Sequence, residues 1–325
     1  MKAVIGTDLA RATALLRQGG LVAIPTETVY GLAANAYDAS AVLRIFQAKD
    51  RPSFDPLIVH VRDRVQVDDV AIVPPEAEEL MERFWPGPLT LVLPKKPSIP
   101  DIVTSGLDTV GVRMPAHPMA LELLRSLDFP LAAPSANPFG YVSPTTAQHV
   151  TDQLGEKIPY ILDGGPCAVG VESTIIGWEP HLTPHTSPWV LYRAGGVPAE
   201  ALEAILGPLV LAPLSPGEGL GVRAPGMIES HYAPRKPLLV GDVPALLREQ
   251  AGKHCAVISF TAHYDAWRCE TLSPSGDVSE AARNLFAVIR TLDTGEADVI
   301  IAEVFPNEGL GRAINDRLRR AAAKR

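Results

Sequence analysis

Apolar residues in this chain fall into two periods. Short unbroken runs bounded by proline, glycine or polar residues read as buried strands, and runs spaced three and four apart read as helices. The strands predicted in the first two thirds are Leu21 to Ile24, Leu57 to Val61, Leu89 to Leu93, Val110 to Met114, Pro130 to Ala133, Tyr160 to Leu162, Thr174 to Ile176 and Val190 to Tyr192. A first helix runs from a Thr7/Asp8 cap to the Gly19-Gly20 stop. A second, capped by Asp38 or Ser40, turns Val42, Ile45 and Phe46 to one face. Pro75 opens a third with Leu80, Met81 and Phe84 inward, His117 to Leu127 is a fourth, and Pro198 to Leu206 another. Ser143-Pro144 has the form of a helix start, a cap followed by proline at the first helical position.

Helices and strands mix irregularly here, which predicts a mixed sheet. From Gly207 to Pro237 periodicity stops and proline and glycine accumulate, as in a linker. Regular alternation then resumes: strands Leu238 to Val240, Ala256 to Phe260 and Val299 to Val304, and helices Val243 to Gln250, Val278 to Leu292 and Leu310 to Ala322. The expected fold class is α/β: a twisted mixed β-sheet with flanking helices over 1–207, a linker or lid over 208–236, and a small Rossmann-like three-layer domain over 237–325.

Composition narrows this picture. The 325 residues are 46% hydrophobic and 20% charged, enough for two ordinary cores. A formal charge of −8 argues against non-specific grip on nucleic acid, which needs basic surface. The basic residues of the last helix, Arg312, Arg317, Arg319 and Arg320 among them, read as a solvated helix end. Cys167, Cys255 and Cys269 are odd in number and unclustered, offering no disulfide framework. The stretch from Thr7 to Gln18 reads as a charged amphipathic helix rather than a leader, and no apolar run is long enough for a bilayer. A cytoplasmic setting is the expectation.

Candidate chemistry gathers at strand ends. Pro25-Thr26-Glu27-Thr28-Val29-Tyr30-Gly31 follows the first strand and His60 ends the next, with Lys49 and Arg51 between them at the end of a helix. Cations at a helix end are ordinary solvated groups when alone. Beside strand ends that offer hydroxyls and an imidazole, a fixed guanidinium and a mobile ammonium also suit a phosphoryl group in transfer. Arg113 lies in an apolar strand and needs an anion, either an internal carboxylate or that of a ligand. Ser135 and Asn137, in Ala133-Pro134-Ser135-Ala136-Asn137-Pro138, fit both turn chemistry and ligand contact. Ser143 fits a helix cap and, through the helix N-terminus, an anion.

Several motifs are excluded. There is no G-x-x-x-x-G-K-[ST] P-loop and no G-x-S-x-G elbow. His181 and His185 are separated by Pro184 and do not share a helix face, and Gly217, Gly219 and Gly221 lack a flanking strand and helix.

In this order, the segments from about Leu9 to Gly196 resemble the YrdC-type L-threonylcarbamoyladenylate synthases. The linker and second domain resemble the long form, through Pro225-Gly226-Met227, His231-Tyr232-Ala233-Pro234 and Gly309-Leu310-Gly311-Arg312-Ala313-Ile314-Asn315-Asp316-Arg317-Leu318. The resemblance implies a YrdC-like catalytic sheet and a nucleotidyltransferase. It would join L-threonine, bicarbonate and ATP, with Mg²⁺ on the ATP and no dedicated protein metal site, into threonylcarbamoyl-AMP and pyrophosphate. The product would pass to a separate tRNA threonylcarbamoyl transferase complex, with tRNA itself held weakly. Carried over, Lys49 and Arg51 would be catalytic. Thr28, His60, Arg113, Ala133 and Ser173 would hold threonine. Arg51, Asp55, Thr109, Ser135, Asn137, Ser143, Arg193, His231 and Tyr232 would contact ATP. The linker would close over the pocket and exclude water from a mixed anhydride, with the second domain as its anchor.

Three departures from the family pattern stand out. Asp55 stands where asparagine is common, and a carboxylate beside phosphates is costly unless a metal or Arg51 offsets it. Met227 to His231 lacks the lysine and arginine that many relatives carry around a tyrosine, and Arg193 precedes Ala194 rather than proline. Two other classes compete with this reading: an RNA-binding module, disfavoured by the charge of −8, and a carbamoyl transferase, for which the extra domains are missing.

Overall fold

The computed structural model describes residues 2–179, 188–212, 224, 227 and 232–323. The chain begins with β1 (Val4–Gly6), α1 (Leu9–Arg17), β2 (Val22–Ile24), β3 (Gly31–Asn35), α2 (Ala39–Lys49) and β4 (Ile58–His60). It continues through α3 (Arg64–Val70), α4 (Pro75–Phe84), β5 (Leu89–Pro94), α5 (Asp101–Thr104), β6 (Thr109–Arg113) and α6 (Pro118–Arg125). Then come β7 (Leu131–Ala132), α7 (Ala147–Leu154), β8 (Tyr160–Leu162), β9 (Thr174–Trp178), β10 (Trp189–Arg193), α8 (Ala199–Leu206) and β11 (Val210–Leu211). A second group comprises β12 (Leu238–Val240), α9 (Val243–Glu249), β13 (Cys255–Ser259), β14 (Arg268–Thr271), α10 (Val278–Thr294), β15 (Val299–Ala302) and α11 (Gly311–Ala322).

The first group makes one mixed sheet, ordered β1-β8-β2-β3-β7-β4-β6-β5-β9-β10-β11. Its centre places the chemistry. β4 and β6 run parallel with His60 opposite Arg113, and β7 runs antiparallel to β4 with Ala132 opposite Val59. The segment after β2 is the loop of a hairpin, since Ile24 pairs with Gly31. β3 escapes a periodicity reading because Gly31-Leu32-Ala33-Ala34 is buried on both faces and shows no alternation. Asp8 and Asp38 cap α1 and α2 by accepting backbone N–H groups.

The second sheet is wholly parallel, ordered β12-β15-β13-β14. Its faces alternate cleanly. Val257 and Ile301 pack with Val243, Leu246 and Leu247 of α9. Ala256, Ile258 and Ile300 pack with Leu285, Phe286 and Ile289 of α10 and with Ile314 and Leu318 of α11. Helices on both faces make the three layers expected of it.

Two local expectations are corrected. Ser143-Pro144 does not start a helix; α7 begins at Ala147, capped by Thr146, whose hydroxyl accepts from His149 N at 3.2 Å. The Ser143 hydroxyl is instead buried and donates to Glu172 Oε1 at 2.5 Å. The expected linker also opens as sheet, because Val210 and Leu211 pair in parallel with Val190 and Leu191.

The two groups share a core. Val29, Tyr141, Val142, Val171 and Tyr232 join the cluster built on α10 and α11. Polar contacts reinforce it: Arg290 donates to Val142 O and Ser143 O, and the Tyr141 hydroxyl donates to Asp293. The other Asp293 oxygen accepts Arg235 N at 2.7 Å and Lys236 N at 3.0 Å, tying the end of the linker to α10. Gly170 lies directly against α10, where a Cβ would sit 2.4 Å from Arg283 Cα, and its φ is +80°. Gly170→Ala therefore combines overpacking with left-handed strain and should destabilise the chain by roughly 1–3 kcal/mol. Thermal unfolding would show a lowered Tm, and limited proteolysis faster release of the second domain.

Candidate active site

The central strands end in a cleft with about 540 Å³ of space between atoms, its mouth included. Thr26 and Thr28 reach it from the β2–β3 loop, His60 from the end of β4 and Arg113 from the end of β6. Ala133, Pro134 and Ser135 line it after β7, Glu172 and Ser173 before β9, Arg193 at the end of β10, Arg51 after α2, and Tyr232 from the linker. Gly195 makes the Arg193 corner possible, since a Cβ there would lie 2.3 Å from Glu172 O.

One side of the cleft is a hydroxyl relay. Thr26 Oγ1 donates to Val29 O at 2.6 Å, so the Thr28 hydroxyl supplies the proton of the 2.9 Å Thr26–Thr28 bond. Thr28 Oγ1 in turn accepts from Arg113 Nη1 at 2.9 Å. Arg113 is already paired inside the protein, with Nη2 donating to Glu27 Oε1 at 2.6 Å and Nε to Gly87 O at 3.2 Å. His60 is 3% exposed, and its Nδ1 has no hydrogen-bond partner among the described residues. Burial, with Arg113 adding, pulls its imidazole from 6.5 down to about 3, so the ring in the cleft is neutral. Opposite, the Ser173 hydroxyl shares a 2.8 Å bond with Thr90 Oγ1 and accepts from Arg193 Nη2 at 3.2 Å.

The other side is cationic. Arg51 Nε donates to Asp55 O at 3.1 Å and Nη2 to Pro56 O at 2.9 Å. Asp55 Oδ2 lies 2.9 Å from Arg51 Nη2, an ion pair by distance, while neither Asp55 oxygen has an aligned hydrogen bond among the described residues. Burial pushes the Asp55 carboxyl up, and Arg51, Lys49 and Arg193 pull against it. Asp55 lies behind the cleft wall, and its effect is to hold Arg51 in place.

Lys49 also lies behind the wall. Its amine donates to Ser135 O and Asn137 O, pinning the turn whose Ser135 lines the cleft. Burial, with Arg51 adding, holds Lys49 well below its ordinary 10.5. The amine donates to both carbonyls in either protonation state. Asn137 braces the same turn, with Nδ2 donating to Pro138 O and Tyr141 O. Lys49, Asp55, Asn137 and Ser143, expected to touch ligand, are not among the residues lining this cleft and are placed beside it by contacts within the protein. Thr109 lines a separate, smaller recess with Thr90 and Thr104. His231 lies outside the described residues.

Three residues of the site escaped the sequence: Glu27, Glu172 and Arg317. Glu172 lines the cleft between Ser143 Oγ and Arg317 Nε, the latter 2.7 Å from Oε2. Burial raises its carboxyl, but Arg317, Arg193 and Ser143 outweigh that and leave it below the ordinary range. The guanidinium of Arg317 also stands 5.1 Å from the centre of the Tyr232 ring. Tyr232 has φ +65°, is 1% exposed, and stacks on Phe286 at 5.7 Å. The arrangement is an anion-binding cleft: three guanidiniums face it, from Arg51, Arg113 and Arg193, with hydroxyls and a neutral imidazole beside them.

Known proteins share this architecture. The Sua5–YciO–YrdC family model, described as telomere recombination, matches residues 14–195. A second, described as threonylcarbamoyl-AMP synthase, C-terminal domain, matches residues 197–323. The threonylcarbamoyl-AMP synthase of Pyrococcus abyssi (strain GE5 / Orsay) is 45% identical over 331 residues, 97% of this chain and 94% of its own. That of Bacillus subtilis (strain 168) is 42% identical over 330 residues, 98% of this chain and 94% of its own. The crystal structure of P. abyssi Sua5 complexed with L-threonine matches with a TM-score of 0.90 at 43% identity, covering 99% of this chain and 98% of that one.

The lowered His60 links the site to stability. Its imidazole takes a proton near pH 6.5 in the unfolded chain but only near 3 in the fold. Its contribution is therefore full above pH 6.5 and is lost as pH falls toward 3. His149, lowered to about 4, acts with the same sign, so a comparison with His60→Gln isolates His60. Urea unfolding at pH 7.5 and 5.5 should show a smaller loss of stability in H60Q than in the wild type. The wild-type His60 ring signals in NMR should not titrate between those pH values.

Proposed function

The chain belongs to the Sua5–YciO–YrdC family in its threonylcarbamoyl-AMP synthase form, and we propose that the cleft holds the substrates of that reaction side by side. The reaction joins L-threonine, bicarbonate and ATP into threonylcarbamoyl-AMP and pyrophosphate, and its product serves tRNA modification beside the anticodon. Threonine and bicarbonate form an N-carboxylated threonine with loss of water. Its carboxylate attacks the α-phosphate of ATP, and pyrophosphate leaves.

The observation that carries this reading is the convergence of Arg51, Arg113 and Arg193 on one cleft that also presents Thr28, His60 and Ser173. Two anionic substrates need this much positive charge, in a place where water is scarce enough for charge to count. Threonine sits on the Thr28 side. Its carboxylate takes the Nη1 edge of Arg113, beside the Thr28 hydroxyl, while Glu27 keeps Nη2. His60 Nδ1 and Ser173 serve its polar groups, and the Ala133 backbone lines the pocket. A neutral His60 adds no charge there and hydrogen-bonds the ligand as a donor or acceptor according to tautomer.

ATP lies across Arg51, Arg193 and Ser135, under Tyr232. Arg51 stabilises the α-phosphate as its charge shifts, and Lys49 acts one layer back by fixing the Ser135–Asn137 turn. Mg²⁺ enters with the nucleotide, on its phosphates. Among the described residues no group of three His, Cys, Asp or Glu is placed to hold a metal. The cleft carboxylate Glu172 is engaged by Arg317, which fits a cation carried by the substrate rather than caged by protein. A separate tRNA threonylcarbamoyl transferase complex takes the product, and the net charge of −8 leaves any direct hold on tRNA weak. Among the described residues no helix is long and apolar enough to cross a membrane; supply of an intermediate for tRNA modification supports a cytoplasmic setting.

Pyrophosphate release should require threonine and bicarbonate together; release that ignores threonine would sink the reading. Arg51→Ala should lower kcat by roughly 10²–10³-fold, the usual loss when one donor to developing charge is removed. Threonine binding, measured by calorimetry, should change far less in R51A than in Arg113→Ala.

A further inference from the structure

We propose that Arg317, on the last helix of the second domain, is a positioning residue of the nucleotide site: it neutralises Glu172 so that the cleft accepts a triphosphate. The proposal rests on the reading of the cleft as an ATP site and goes beyond it by making the second domain part of that site.

Glu172 is the one carboxylate among the described residues lining the cleft. It is 6% exposed, at the strand end beside Ser173. A bare carboxylate there would repel phosphate at close range. Arg317 prevents this through its 2.7 Å contact from Nε to Oε2, while Ser143 donates to the other oxygen. Arg317 is fully buried, and its Nη1 donates to Asp316 Oδ2 at 2.8 Å. Asp316 is itself served by Arg320 at 3.0 Å and Arg319 at 3.0 Å, which leaves the charge of Arg317 for Glu172. The same guanidinium lies over the ring of Tyr232, another wall of the cleft. One side chain of the second domain therefore sets the charge of one wall and the position of another.

Arg317 lines no part of the cleft, so it acts through Glu172 and not on the substrate. The charged and titratable groups around Glu172 are Arg193 from β10, Tyr232 from the linker, and Arg317 with Asp316 from α11. Removing Arg317 leaves Glu172 buried with Arg193 as its remaining cationic neighbour and Ser143 as its hydroxyl donor. Its carboxyl then rises, and nucleotide binding gains an added pH dependence from Glu172: stronger as pH falls and Glu172 is protonated.

The test is ATP affinity of the full chain, by calorimetry with Mg²⁺ present, together with steady-state pyrophosphate release. Arg317→Met should weaken ATP binding by roughly tenfold or more at pH 7.5. KM for ATP should rise by more than kcat falls, and affinity should recover toward pH 6. The double variant R317M/E172Q should regain most of the lost affinity, because it has no charge to neutralise. R317K should stay within a few-fold of the wild type. Where R317M does not fold, R317Q and R317Q/E172Q carry the same comparison. Unchanged ATP affinity in R317M, or a double variant no better than the single one, would overturn the proposal. In the second case the loss belongs to loosened domain contact. Failure of the wild type to bind ATP would overturn this proposal and the ATP reading together, whereas normal binding in R317M overturns this one alone.

Discussion

A guanidinium taken out of water must keep an anion or several carbonyls within reach, and this constraint organises the molecule. Arg51 keeps Asp55 and two carbonyls, Arg113 keeps Glu27, and Arg317 keeps Glu172. Arg51 finds its partners four and five residues along its own loop, whereas Arg113 and Arg317 find theirs on distant parts of the chain, so the positive cleft is complete only once those elements have converged. The charge of the cleft is thus matched within the protein before a ligand arrives. Substrate carboxylate and phosphate then compete with, or add to, internal carboxylates. Such competition moderates affinity while keeping geometry fixed.

Much of the frame was legible in the chain because burial wrote it there. Leu21 to Ile24 and Leu57 to Val61 announce themselves as strands, so Thr28, just beyond the first, and His60, at the end of the second, lie at the ends of interior strands, where the cleft opens. Arg113 stands out as a charge in an apolar strand. β3 did not stand out, since small residues buried on both faces carry no alternation. Ser143-Pro144 misled because the local cap signal competes with a carboxylate at position 172, which only tertiary structure brings near.

Charge pairing across 85 or more residues was beyond periodicity: Arg113 with Glu27 spans 86 positions and Arg317 with Glu172 spans 145. A signal for Arg317 nevertheless existed. It occupies the buried stripe of α11 with Ala313, Ile314 and Ala321, three and four residues away. A charge on an apolar stripe has to meet a partner, and the basic character of the helix, read as solvation of the chain end, hid that two arginines, Arg317 and Arg320, are turned inward. Lys49 shows the converse. Its place in the sequence beside Arg51 suggested a shared task, while the fold separates them, with the guanidinium on the wall and the amine behind it.

That placement of Lys49 bears on self-damage. Threonylcarbamoyl-AMP is an activated acyl donor, and a maker of acyl donors risks modifying its own nucleophiles. An amine held well below its ordinary pKa is the most vulnerable kind, because the unprotonated form attacks. Here the nitrogen is held by the Ser135 and Asn137 carbonyls, is 1% exposed and lines no part of the cleft, so burial rather than chemistry shields it. Cys167, near the same strand ends, is pushed up to about 12 by burial and stays a thiol. The wall that shapes the cleft thus also shields these two nucleophiles.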